Sequence, residues 1–190
     1  MGENKVLIVF GTRYGATKST AEEIARIFQE EDYNVKIVNA KEEKIRDISD
    51  FELIIVGSGM RIERWVSKVE GFLKKFNNDL KKKKLAIFVS SGARALMEYK
   101  GQQEEIERIT KKYLEDKASK YDLSPISLAM FGGVWDYNKM SKIYRKFLEA
   151  EKKNIIAAGA QETEPGVYDT RNWDEIRIWA MDLAKKAREH

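Results

Sequence analysis

The stretch KVLIVFGTRYGATKSTAEEIARIF, Lys5 to Phe28, decides the fold. Val6 to Phe10 is an unbroken apolar run, the pattern of a parallel strand buried on both faces. It stops at Gly11 and passes through Thr12, Arg13, Tyr14, Gly15, Ala16 and Thr17. A helical pattern follows from Thr20 to Glu30, with Ile24, Ile27 and Phe28 on one side and Glu22, Glu23 and Arg26 on the other.

The rest of the chain repeats this alternation. Val35–Val38, Leu53–Val56, Leu85–Val89 and Ile126–Phe131 read as four further strands. Between them, Val66, Val69, Leu73 and Phe76 mark one helix, and Ile106, Ile109, Tyr113 and Leu114 another. The segment from Val134 to Gln161 reads as mostly helical, with a turn at Pro165-Gly166, and Trp173 to Ala187 closes the chain as an amphipathic helix. Parallel strands need long crossovers, so this order predicts an α/β fold with a five-stranded parallel sheet covered by helices on both faces. No composition shift marks a boundary, so residues 1–190 are expected to form a single domain with a helical insertion around 138–168.

A turn from the first strand into the first helix presents free backbone N–H groups and the positive end of the helix dipole, which suit an anion. The spacing excludes GxGxxG and GxxxxGK[ST]. What remains is Thr-x-x-Gly-x-Thr, with hydroxyls at Thr12 and Thr17 and a glycine at 15 for close backbone approach. Such a loop suits one terminal phosphate monoester better than a pyrophosphate.

Composition narrows the chemistry. The chain has no cysteine and one histidine, at position 190, which excludes thiol nucleophiles, thiolate metal sites, an imidazole metal cluster and a serine–histidine triad. Redox chemistry therefore needs a bound organic cofactor. The net charge of +4 permits acidic partners and gives no reason to expect nucleic acid. The start of the chain does not read as a signal peptide and no apolar run is long enough to span a bilayer, so a cytoplasmic location is expected.

On the loop TRYGAT, Thr12 to Thr17, and the five-strand pattern, the sequence resembles the flavodoxin family. The resemblance implies a doubly wound sheet of order 2-1-3-4-5 and an FMN cofactor whose phosphate sits in that loop. Tyr14 stands where the family usually has threonine. By the same resemblance the flavin ring would lie against two further loops, at Ser58, Gly59, Met60 and Arg61 and at Ser90, Ser91, Gly92, Ala93 and Arg94, with Trp65 and Tyr99 as candidates to stack on it. Arg13, Arg61 and Arg94 each fall in one of the three loops expected to converge on the cofactor. Cations there would favour a reduced, anionic ring and two-electron chemistry, or would receive a substrate's carboxylates.

A closer resemblance rests on TRYGAT, on FGGVWDYNKMSKIYRKFLE and on YDTRNWDEIRIWAMDLAKKA: the chain is similar to flavodoxin-type, menaquinone-dependent protoporphyrinogen IX dehydrogenases. That implies FMN taking reducing equivalents from a porphyrinogen and passing them to a quinone or another acceptor. Trp135 and Tyr137, with Val134, Met140, Ile143, Tyr144 and Phe147, would face substrate or membrane, or else pack a helix on the sheet. Lys139, Lys142, Arg145 and Lys146 beside them would suit anionic lipid or porphyrin carboxylates. Two alternatives stay open: an electron carrier docking on a redox partner protein, and a flavodoxin-like interaction module without FMN, for which Tyr14 is the best support.

Overall fold

The structure, a computed structural model, describes residues 4–189, with the side chain of Phe147 outside the described set. Five parallel strands, β1 (Lys5–Gly11), β2 (Asn34–Asn39), β3 (Leu53–Gly59), β4 (Lys84–Ser90) and β5 (Ser127–Phe131), form one sheet in the order β2-β1-β3-β4-β5. The order reverses beside β1, between β2 and β3, which is where open α/β sheets bind ligands at their carboxyl ends.

Alternation along the strands builds two cores. Val6, Ile8 and Phe10 of β1 face α1 (Ala16–Glu30) and the closing helix α9 (Trp173–Glu189), with Phe28, Phe88, Phe131 and Leu183 completing that side. Leu7 and Val9 face the other side, where α2 (Ser67–Lys75), a four-residue turn α3 (Asn77–Leu80) and the run α5 (Gln103–Thr110) to α6 (Asp116–Lys120) cover the sheet. Between α5 and α6 the helix widens into a π-helical turn at Lys111–Glu115. Such turns recur at functional sites. The first crossover helix starts at Ala16, four residues earlier than its apolar pattern alone suggests.

The region after β5 departs from the mostly helical expectation. It contains two short helices, α7 (Lys142–Glu149) and α8 (Lys152–Ala157), but also β6 (Val134–Asp136), β7 (Gln161–Glu164) and β8 (Val167–Asp169), which pair antiparallel in the order β6-β8-β7. This small sheet has its own core: Trp135, Tyr137, Met140, Leu148, Ile155 and Tyr168 are buried together. Strands of three or four residues are too short to write a two-residue period into the sequence. No helix among the described residues is long and apolar enough to cross a membrane.

Candidate functional site

The carboxyl ends of four strands lie level. Gly11 of β1 pairs with Ser58, Gly59 of β3 with Ser90, and Ser90 of β4 with Phe131 of β5. The loops that leave this edge enclose a cavity of about 210 Å³. Its walls come from Thr12–Tyr14, Ala16 and Thr17, from Gly59–Glu63, from Ser90–Ala93, and from Gly133–Trp135, with Tyr113 of the π-helical turn, Met97 of α4 (Ala93–Tyr99) and Tyr144 of α7.

The first loop is built for close approach to the helix start. The Thr12 hydroxyl accepts the Gly15 N–H at 2.8 Å, closing the turn, and keeps its own proton free to donate. Gly15 is the N-cap at φ 98°, a left-handed conformation that side chains disfavour, and it offers no side-chain acceptor to the first turn of α1. That turn also holds no acidic residue, so nothing of this helix competes with an incoming anion for its N–H groups. Lys41 donates to the Thr12 carbonyl at 2.5 Å, and Arg171 donates to the Ala16 carbonyl at 3.0 Å while paired with Asp169 at 2.6 Å. Lys41 brings positive charge to the loop, whereas the charge of Arg171 is offset by Asp169.

Arg13 and Arg61 sit close enough to repel one another. Burial and then the neighbouring Arg61 cation pull the Arg13 pKa below its ordinary value. Arg13 donates to the Trp65 carbonyl at 3.1 Å, and the Arg61 guanidinium lies 5.2 Å over the Tyr144 ring. Burial pushes the Tyr144 phenol up, so it stays neutral. Trp65 itself is buried in the core, with its indole N–H on the Tyr113 carbonyl at 3.1 Å.

Five buried side-chain polar atoms among the described residues lack a hydrogen-bond partner: Arg13 Nε, Tyr14 OH, Arg61 Nε, Ser90 Oγ and Trp135 Nε1. All five belong to residues that line this one cavity. Buried polar groups are rarely left unpaired, because each costs on the order of 1–3 kcal/mol. Three of the five are obligate donors and two are hydroxyls, so the set matches a ligand rich in acceptors that carries negative charge.

Other residues expected at the site lie elsewhere. Arg94 does not line the cavity; it pairs with Glu98 and Glu175, each at 2.8 Å, and also donates to the Met130 carbonyl. Ser58 is fully buried and accepts the Val66 N–H at 2.9 Å, capping the start of α2. Tyr99 is half exposed at the end of α4, away from the cavity. Tyr137 donates to the Leu148 carbonyl at 3.1 Å inside the small core, while Trp135 packs on Gly92 at the cavity wall. Tyr113 and Met97 also line the cavity, and in sequence they are indistinguishable from ordinary apolar helix positions.

Residues 7–159 match the family described as flavodoxin domain. The chain belongs to the flavodoxin family. A flavodoxin from Maridesulfovibrio salexigens is 27% identical over 90 residues, 45% of this chain and 62% of that protein, so the match spans less than two thirds of the curated relative's length. Among solved structures, an archaeal flavodoxin matches with a TM-score of 0.54 at 16% identity, over 97% of this chain and 99% of that one. Rubredoxin:oxygen oxidoreductase from Desulfovibrio gigas matches with a TM-score of 0.57 at 17% identity, over 98% of this chain and 36% of that one. At these identities the structural matches establish the flavodoxin-like fold, and the family is that of FMN-binding redox domains.

Proposed function

We propose that this flavodoxin-domain protein holds FMN in the cavity at the carboxyl ends of β1, β3 and β4 and exchanges electrons through it with a partner protein. The observation that carries this reading is the gathering of all five unpaired buried polar atoms on one donor-rich, doubly cationic cavity. FMN would supply one- or two-electron redox chemistry when bound. The chain's own residues do the rest. The first-turn N–H groups of α1 and the hydroxyls of Thr12 and Thr17 take the phosphate, with Lys41 adding charge behind the loop and Arg171, paired with Asp169, holding the Ala16 carbonyl. Arg13, Arg61, Ser90 and Trp135 supply the acceptor-binding groups for the ring's polar edge, and Tyr14 and Tyr144 supply aromatic walls.

The cavity, at about 210 Å³, is smaller than the roughly 300–1,000 Å³ usual for small-molecule sites and is open to solvent, so part of a ligand the size of FMN would stand outside it. The Arg61–Tyr144 contact joins the loop after β3 to α7 beside the cavity. A second reading, a two-electron dehydrogenase acting on protoporphyrinogen IX, is favoured by the cationic pair Arg13 and Arg61 and by the late tryptophan-helix motif. With Arg94 turned away, two arginines rather than three support it.

Titration of FMN against the protein, read by quenching of flavin fluorescence, tests the cofactor. The wild type is expected to bind, and Thr12→Ala with Thr17→Ala to lose at least about tenfold, two hydroxyl contacts being worth on the order of 1.4 kcal/mol or more together. Equal affinity in both proteins contradicts the placement. Steady-state turnover of protoporphyrinogen IX with a quinone separates the two readings, since a carrier gives none.

A further inference from the structure

The mouth of the cavity carries an unusual rim. The loop after β3 closes as a two-residue hairpin turn: the N–H groups of Arg61 and Arg64 each bond to the other's carbonyl, at 3.2 and 3.1 Å. Its central residues Ile62 and Glu63 both have positive φ, 47° and 54°. Hairpin turns of this kind are normally Asn-Gly or Asp-Gly, and a β-branched residue there is strained. The strain is not relieved by burial, because Ile62 is 68% exposed. Glu63 holds the turn in place through Arg108 at 2.9 Å and through Lys112. The fold thus spends backbone strain on presenting an apolar side chain to solvent beside the site, and such strain concentrates where function needs it.

Across the mouth, α7 shows the same composition. Ser141 caps it, and Leu148 and Tyr144 turn inward to the small core and the cavity. Its outer face carries Ile143, 87% exposed, between Lys142, Arg145 and Lys146. Among the described residues none of these three cations, nor the exposed Arg64, has an acidic partner, although ion pairs are common elsewhere on the surface. Two exposed apolar tips, Ile62 on a cavity-lining loop and Ile143 next to the cavity-lining Tyr144, thus stand near four cations without an acidic partner among the described residues.

We infer that the rim formed by Ile62, Arg64, Lys142, Ile143, Arg145 and Lys146 is the docking surface for a redox partner protein whose own cofactor edge is acidic. Charge complementarity picks the sign of the partner and steers its approach, and the two isoleucines supply the desolvated contact at the centre. A lipid surface fits less well. An interfacial helix must bury its apolar face in the bilayer, whereas Tyr144 and Leu148 of α7 are packed inward and, among the described side chains of that helix, Ile143 is the one exposed apolar group. This inference rests on the proposed cofactor site, and the test keeps the two apart.

The experiment uses the FMN-loaded full chain and three probes: an acidic [2Fe–2S] ferredoxin, basic cytochrome c, and vesicles containing phosphatidylserine. Dissociation constants are measured at about 0.02 M and 0.3 M salt, where screening differs strongly, and FMN affinity is recorded for each variant by flavin fluorescence. The ferredoxin is expected to bind at low salt and weaken at high salt. Lys142→Glu with Lys146→Glu should cost at least about tenfold, while Lys82→Glu with Lys186→Glu, an equal charge change far from the mouth, should cost less than about threefold. Ile62→Asn should weaken docking by about fivefold or more while raising Tm by about 2–4 °C, because asparagine tolerates the left-handed backbone. Failure of FMN binding in the wild type overturns the cofactor reading. Normal FMN binding with equal losses for rim and control pairs, with tighter binding of cytochrome c, or with capture by vesicles and not by ferredoxin overturns the docking inference alone.

Discussion

Arg61 concentrates the chemistry of the site at the residue scale. Its guanidinium repels Arg13, stacks on Tyr144 and leaves its Nε without a partner, so it is poised for negative charge. Replacing it by glutamate is expected to lower the two-electron midpoint potential of the bound flavin, by about 30 mV for each 1.4 kcal/mol of lost stabilisation of the reduced form; a potentiometric titration with no shift removes the argument from charge. Gly59 works by being small. A Cβ there would stand 3.0 Å from the Thr17 hydroxyl and 3.5 Å from the Arg13 amide nitrogen. Gly59→Ala should therefore push Thr17 out of line and weaken FMN binding by about tenfold with little loss of stability, which paired fluorescence titration and thermal melts check. The turn that holds Thr12, Gly15 and Thr17 was legible in sequence because a strand, a turn and a helix follow one another within a few residues. The direction of Arg94 was not, because the stretch reads as a loop whereas the residue sits in the first turn of α4; the usable signal was Glu98, four residues on along the same helix face.

At the scale of elements, the wall contributed by α7 depends on how that helix starts. Ser141 accepts the Tyr144 N–H at 3.3 Å, and α7 has only eight residues. Short helices need such help, so Ser141→Ala is expected to cost about 1 kcal/mol and to loosen Tyr144. Hydrogen exchange should show faster exchange confined to residues 142–149; unchanged protection would mean the small core alone holds the helix. Of the five sheet strands, β1, β3 and β4 were readable as continuous apolar runs between loops, while β2 and β5 were readable as short apolar stretches with one polar residue each, Lys36 and Ser127. The stretch after β5 was misread as mostly helical because β6 and β8 have three residues each and β7, QETE, is exposed throughout. Its order comes from Trp135, Tyr137 and Tyr168 packing across 30 residues of chain, a tertiary effect that no local pattern records.

On the scale of the whole molecule, the sheet order and the alternation of β1 place two cores back to back and leave the strand ends free to build one cavity. Ion pairs fasten the covering helices. Glu70 of α2 takes Lys120, then Lys117, and the Tyr121 hydroxyl, and these hold its carboxyl down at about 2. A depressed carboxylate stabilises the fold above its unfolded value near 4.3 and loses that contribution as pH falls towards about 2. Glu70→Gln should thus reduce stability by up to about 1 kcal/mol at pH 7, solvent screening included, and flatten the acid limb of a stability–pH curve between about pH 4 and 2; an identical limb contradicts the linkage. The central claim is narrower: the opening turn of α1 grips the phosphate of FMN. The most direct measurement is a crystal structure of the protein grown with FMN. The account predicts phosphate oxygens within hydrogen-bonding distance of the Ala16 and Thr17 N–H groups and the Thr12 hydroxyl, with the ring between residues 60–63 and 90–93. Density for Tyr14 and Arg13 filling the cavity at saturating FMN, with the phosphate elsewhere or absent, would contradict it.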